Sequence, residues 1–313
     1  MAKAIREVYG ETLRNLGDEN ENIVVLDADV SGSTKSAIFG KNFPERFFNC
    51  GISEYAMVGM AAGMAKSGKI PFVNTFAVFL TTIGSLAART FMSYSKLPIK
   101  MMGAYGGLSD AYDGATHHSL EDIAFMRTLP NVIVMVASDE QITKWLIEIA
   151  VIVPEPMYIR LSRNAYPDCH YKNTNFEIGK GVIVKEGTDI TIIACGLMVS
   201  TALNAVNNLE ENGISVRVVD MFCIKPIDSE LIKKCATETG AIVTAEEHNI
   251  LGGLGGAVSE VLAKSGIGVP LEMVGINDCH GESGAYSDLL KKYALDEYSL
   301  VAVVKKVVEK KSN

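Results

Sequence analysis

Glu54 is an ionisable side chain in a stretch that offers it no counter-ion. Residues 51–68 read GISEYAMVGMAAGMAKSG, and no Lys or Arg lies between Phe47 and Ala65. Met57, Val58, Met60, Ala61, Ala62 and Met64 cover most of a helical surface, so a helix over 54–67 is expected to be buried nearly all round, with Glu54 in its first turn. A carboxylate there could simply complement the helix N-terminus, worth up to about 1 kcal/mol. A carboxyl group buried without a cation instead has its pKa raised and can donate a hydrogen bond to a ligand. That makes Glu54 a functional candidate.

Three other stretches set polar chemistry beside apolar runs. Residues 27–33 (DADVSGS) leave the C-terminal end of an expected strand, the edge where open parallel sheets bind ligands. Phe76 and Phe79, three apart after the next strand, could stack on a flat ring. Asp113-Gly-Ala-Thr-His117-His118 lies in a loop running from 103 to 119, and a loop of that length is more often functional than not. Singly, each has a plain reading as a capped turn, a core aromatic pair or a surface loop. The glycine cluster at 252–256 (GGLGG) follows a strand and opens a helix, but Val258 stands where a dinucleotide fingerprint needs its third glycine. A tight turn for helix-to-sheet packing is the better account. Cys279-His280 has no second ligand pair at zinc-like spacing.

These residues need a scaffold, and the apolar pattern supplies one. Short apolar runs at 22–27, 71–75, 98–102, 132–137 and 156–161 alternate with helical patterns at 54–67, 81–95, 120–128 and 140–150. This is the rhythm of a parallel sheet covered by helices on both faces. It lapses over 163–187 and resumes with strands at 189–194, 215–219, 241–245 and 271–274. The expected fold is α/β, with a first parallel-sheet domain over 1–165, a linker over 166–187 and a smaller parallel-sheet domain over 188–313. The chain has 313 residues, 48% of them hydrophobic, and a net charge of −8, which argues against nucleic acid or an anionic membrane as partner. Charges interrupt residues 1–17, which read as neither signal peptide nor membrane span. Six scattered cysteines without a CxxC suit reduced thiols in the cytoplasm.

In their order along the chain, the stretches resemble the pyrimidine-binding domain of thiamine-diphosphate enzymes, most closely transketolases. LDADVSGST is similar to that family's ADxxxS segment, and GISEYAMVGMAAGMA to its glutamate-bearing helix. FVNTFAVF resembles its aromatic wall, DGATHHSLEDIAFMRTLPN its DGPTHQ loop and helix, and YIRLSR its strand ending in Ser-Arg. EEHNILGGLGG resembles part of its C-terminal domain. The resemblance implies that Glu54 bonds to N1′ of the cofactor's aminopyrimidine, that Phe76 and Phe79 stack on that ring, and that Asp29 lies near the cofactor. It implies further that His117 faces the reacting sugar, with Asp113 beside it in the same loop, and that Ser33 and Arg163 bind its far, usually phosphorylated, end. The family holds Mg2+ and the diphosphate through a GDG motif followed by an Asn in a preceding domain, and no GDG occurs here. The expectation is therefore one subunit of a split enzyme, paired with an N-terminal subunit that carries that domain, as a heterotetramer of two of each acting on sugar phosphates.

Two departures bear on the substrate. Ala104-Tyr105 stands where transketolases commonly have a Thr-His or Ser-His pair that contacts substrate, and His118 replaces the usual glutamine, as in deoxyxylulose-phosphate synthases. Tyr105 is either a neutral replacement or the mark of a modified sugar. The leading expectation is transfer of a two-carbon ketol unit between a ketose phosphate and an aldose phosphate. The β subunit of a 2-oxoacid dehydrogenase fits DGATHH and LSR poorly, and deoxyxylulose-phosphate synthase is normally one longer chain. A non-catalytic partner protein would have no need of Glu54, both phenylalanines and His117 together.

Overall fold

The computed structural model describes residues 3–312. Two sheets carry the fold. The first contains β1 (Ile23–Asp27), β2 (Phe47–Asn49), β3 (Ile70–Phe76), β4 (Lys100–Ala104), β5 (Ile133–Val136) and β6 (Met157–Arg160). The second contains β7 (Val182–Lys185), β8 (Ile190–Ala194), β9 (Val216–Asp220), β11 (Ile242–Asn249) and β12 (Leu271–Ile276). Between β9 and β11, β10 (Cys223–Lys225) crosses to the first sheet and pairs antiparallel with β5, giving the order β10-β5-β6-β4-β3-β1-β2. The second sheet runs β12-β11-β8-β9-β7, parallel apart from β7. Val182–Lys185, which the sequence places in the connecting segment, is thus an edge strand of the second sheet.

The strands read as continuous apolar runs because both faces of the first sheet are covered. Ile23 and Val25 pack on one side with Tyr9 and Leu13 of the helix Ile5–Glu19 and Leu146 of the helix Glu140–Ile152. Val24 and Leu26 pack on the other with Met57, Val58 and Ala61 of the helix Glu54–Lys66. Successive strand residues alternate between faces, so one five-residue run serves two cores. The second of these cores continues without a break into Ile193, Val219, Met221 and Leu254 beyond the connecting segment. Helices Leu197–Glu211 and Glu297–Ser312 close the far side of the second sheet. The helical pattern at 81–95 resolves into a short helix Ala77–Thr82, a single turn at Ser85–Ala87 and a wider π-type turn, Ala88–Tyr94. Among the described residues no helix is long and apolar enough to cross a membrane.

Candidate active site

Parallel pairing puts the flagged segments on one edge. Asp27 at the end of β1 lies opposite Asn49 of β2 and Asn74 of β3, and Phe76 lies opposite Ala104 of β4. The segments that follow, bearing Asp29, Glu54, Phe79 and Tyr105, therefore all leave the carboxyl edge of neighbouring strands, where such sheets open a crevice. The buried Asp27 carboxylate organises the first of them. It accepts hydrogen bonds from Val30 N at 2.7 Å and from the Thr34 and Ser36 hydroxyls at 2.8 Å each. Burial pushes its pKa up, and those three bonds pull it back. Asp29 is exposed, sits at φ 65°, and accepts from Asn49 Nδ2 at 2.8 Å. Asn49 Oδ1 in turn accepts from Gly51 N at 3.0 Å, which ties the 28–36 segment to the approach to Glu54.

Glu54 opens its helix and is only 3% exposed. Its carboxyl group has no hydrogen bond or ion pair among the described residues. The expectation of a helix buried nearly all round is not met. Tyr55 is 50% and Met60 44% exposed, Gly63 borders open space, and the preceding Ile52 is 83% exposed. The sheet can cover only the Met57, Val58 and Ala61 side of a helix, so the opposite side stays apolar and uncovered.

The same sheet edge carries an aromatic strip. Phe76 and Phe79 stack with ring centroids 5.9 Å apart, and His117 meets Phe79 edge-on at 5.3 Å. Tyr105 continues the strip 4.5 Å from Phe76. Two guanidinium groups end it, Arg6 at 5.4 Å and Arg163 at 5.5 Å from the Tyr105 ring. Arg6 Nη1 donates to the Tyr105 hydroxyl and, at 3.1 Å, to the Ser33 carbonyl. Arg163 pairs with the buried Asp110, Nη1 to Oδ1 3.5 Å. Burial and the neighbouring Asp113 push the Asp110 carboxyl up to about 6, against the pull of His117 and Arg163. The structure thus brings Ser33, Phe76, Phe79, Tyr105, His117 and Arg163 together. Asp113 is exposed at the end of the turn Ala111–Asp113. Arg6 and Asp110 belong to the same group, and no local motif marks either.

His118 points elsewhere. It is buried with Nε2 3.2 Å from the Ala111 carbonyl, and its ring lies against Gly281, where an added Cβ would come within 2.1 Å of Nδ1. It belongs to the seam between the two sheets. The glycine-rich turn is filled by protein, since Glu246 accepts from Leu254 N at 2.7 Å and Gly255 N at 2.8 Å. A carboxylate thereby occupies the helix N-terminus where a nucleotide phosphate would sit. A side chain at Gly253 would meet Glu246 Oε2 at 2.0 Å, which accounts for that glycine. Among the described residues no cluster of His, Cys, Asp or Glu has the arrangement of a metal site, Cys279-His280 included.

Two family models match the chain: the transketolase pyrimidine binding domain over residues 1–168 and the transketolase C-terminal domain over 179–300. A putative transketolase C-terminal section from Methanocaldococcus jannaschii is 46% identical over 310 residues, covering 98% of this chain and 96% of that one. A subunit of the apulose-4-phosphate transketolase from Phocaeicola vulgatus is 39% identical, covering 98% of each. Among solved structures, a split gene transketolase described as an inactive beta4 tetramer is similar, with TM-score 0.89, 45% identity and 99% of both chains covered.

Proposed function

The chain belongs to the transketolase family, and from that premise we propose that it is the pyrimidine-binding subunit of a two-chain, thiamine-diphosphate-dependent transketolase. The observation that carries this reading is one sheet edge that carries Glu54, whose carboxyl group has no protein partner among the described residues, and an aromatic strip of two stacked phenylalanines and Tyr105 that ends at a pair of guanidinium groups. A carboxyl group, flat aromatic faces and guanidinium groups at one sheet edge suit a heteroaromatic ring with a basic nitrogen together with an anionic sugar terminus. When bound, the cofactor supplies the nucleophilic carbon that carries a two-carbon unit from ketose to aldose. Glu54 then hydrogen-bonds to the ring nitrogen, which favours the tautomer that reacts. Phe76 and Phe79 fix the plane of that ring. His117, braced by Phe79, is placed to exchange a proton with sugar hydroxyls, and Arg6 and Arg163 hold the anion at the far end.

A second subunit is required in this reading, bringing Mg2+ and the diphosphate contacts. Its support is the apolar face of Ile52, Tyr55 and Met60 beside Glu54, and the use of the glycine-rich helix start at 252–256 by Glu246. The Methanocaldococcus jannaschii C-terminal section and the Phocaeicola vulgatus subunit, each named as part of a larger enzyme, match this chain over nearly their whole length. An assembly of two chains of each kind, working in the cytoplasm on sugar phosphates of the pentose phosphate series, completes the proposal. Tyr105 favours one variant of it, a transketolase for a modified sugar, because it fills the place of a substrate-contacting histidine and is occupied by Arg6. The deciding experiment is co-purification with the partner chain and assay of ketol transfer from xylulose 5-phosphate to ribose 5-phosphate, with apulose 4-phosphate tested in parallel. No transfer from either ketose by a complex that binds the cofactor would refute the activity.

A further inference from the structure

We propose that Glu247, which lies on β11 of the second sheet, is a positioning residue for the loop 106–119 of the first, gripping its base so that Asp110, Asp113 and His117 stand in register with the aromatic strip. The inference rests on the proposed function for what the loop does, and on contacts alone for how it is held. Glu247 is buried, and each of its polar ends is used. Oε1 accepts from Leu108 N at 2.7 Å and Oε2 from the Tyr286 hydroxyl at 3.0 Å. Its carbonyl accepts from Arg160 Nη2 at 2.9 Å, and the same nitrogen donates to the Ser119 carbonyl at 2.9 Å.

Gly107 and Ser119 close the loop by exchanging backbone hydrogen bonds of 2.9 and 3.1 Å, so Glu247 and Arg160 hold both ends of one closed ring of chain. Gly107 has φ 67°, and an added Cβ would lie 2.4 Å from Glu247 Cδ. The loop backbone rests directly on the carboxylate. His117, which the proposed reaction uses, lies between these anchors with Asp110 and Asp113, and none of the three is bonded to the second sheet's core. The C-terminal half, which supplies no residue to the strip itself, therefore sets the loop's position. Arg160, Asp122, Tyr166 and Tyr286 are the titratable groups facing Glu247, and burial raises its carboxyl to about 7 against the pull of Arg160.

The test compares Glu247→Ala with Glu247→Gln. Glutamine can still accept from Leu108 N–H through its carbonyl and donate to the Tyr286 oxygen through its amide, whereas alanine leaves Leu108 N–H buried and unpaired. Amide hydrogen exchange on the chain alone should show residues 106–119 exchanging about ten-fold faster or more in Glu247→Ala, with Glu247→Gln close to the parent and β1 and β8 unchanged in both. In the assembled complex, Glu247→Ala should raise KM for the ketose phosphate about ten-fold while cofactor Kd stays within about two-fold, and Gln should restore KM. Unchanged exchange in Glu247→Ala, a rise spread evenly over both sheets, or Gln behaving like Ala would each overturn the proposal. If Glu247→Ala does not fold, Tyr286→Phe removes one anchor and should quicken exchange in 106–119 a few-fold; no change there would overturn it equally. The exchange arm needs neither cofactor nor activity, so a failed assay in the parent complex counts against the proposed function without touching this inference.

Discussion

Arg6 donates its hydrogen bond to the hydroxyl of Tyr105, 99 residues away in the chain, and so ties the residue that departs from the family pattern to a cation at the anionic end of the site. Tyr105 sits at φ 61°, in the left-handed region that a bulky side chain occupies at a cost of about 1–2 kcal/mol. The cost is offset by its packing against Phe76 and by the two guanidinium groups over its ring.

Removing Arg6 should weaken anion binding without disturbing the cofactor end. Arg6→Ala in the assembled enzyme is expected to raise KM for a sugar phosphate by the equivalent of about 2 kcal/mol. Arg163→Ala should cost less, because Asp110 already engages that guanidinium. Steady-state kinetics on one ketose phosphate ranks the two, and the reverse order would show that Arg163 is the main anion ligand.

Tyr105→His tests substrate class. Histidine tolerates the left-handed conformation better than tyrosine, so the fold should be kept or slightly stabilised. An enzyme for ordinary pentose phosphates should hold or gain kcat/KM for them. One built for a modified sugar should lose on its own substrate while gaining on the ordinary ones. Loss on both would remove Tyr105 from the specificity argument.

Glu54→Gln keeps shape and hydrogen-bonding capacity but cannot hold an acidic proton against the ring nitrogen. In the assembled complex, C2–H exchange of the cofactor, followed by NMR, should slow by about a hundred-fold or more. A residue that only complements its helix N-terminus would instead cost about 1 kcal/mol of stability or less and leave exchange intact.

Isolated chain should bind thiamine diphosphate weakly, and addition of the partner with Mg2+ should restore tight binding. Titration calorimetry decides it. Tight, magnesium-dependent binding to this chain alone would refute the two-subunit reading.

His170 predicts a pH dependence of stability at the seam between the sheets. Its side chain is buried, with Nδ1 2.7 Å from Asp139 and Nε2 3.2 Å from Asp220. The two neighbouring carboxylates raise it to about 9 against burial, while His170 pulls Asp139 down. A raised histidine binds its proton more tightly when folded, so its contribution is complete below about 6.5 and is lost as pH rises through about 9. The full difference corresponds to about 3 kcal/mol. Urea unfolding at pH 6.5 and 9.5 should show that loss in the parent chain and not in His170→Gln.

The alternation of apolar runs and helical patterns determined the two α/β sheets, because strands buried on both faces must be apolar throughout and that signal is local. Glu54 and the Phe76 and Phe79 pair stand out for the same reason, marked by residue type and spacing within a few positions, and the loop that holds His117 stands out by its length. The tertiary structure alone decided that Arg6 and Asp110 join them, that His118 turns into the seam while His117 faces the phenylalanines, and that Glu246 fills the glycine-rich helix start. It also decided that β10 leaves its neighbours for the first sheet, and that one face of the helix Glu54–Lys66 stays uncovered. Arg6 and Tyr105, or Leu108 and Glu247, meet across long loops closed by the whole packed core. Such contacts leave no periodicity in the chain, because the partner that completes each one is chosen by the fold and not by a neighbour in sequence.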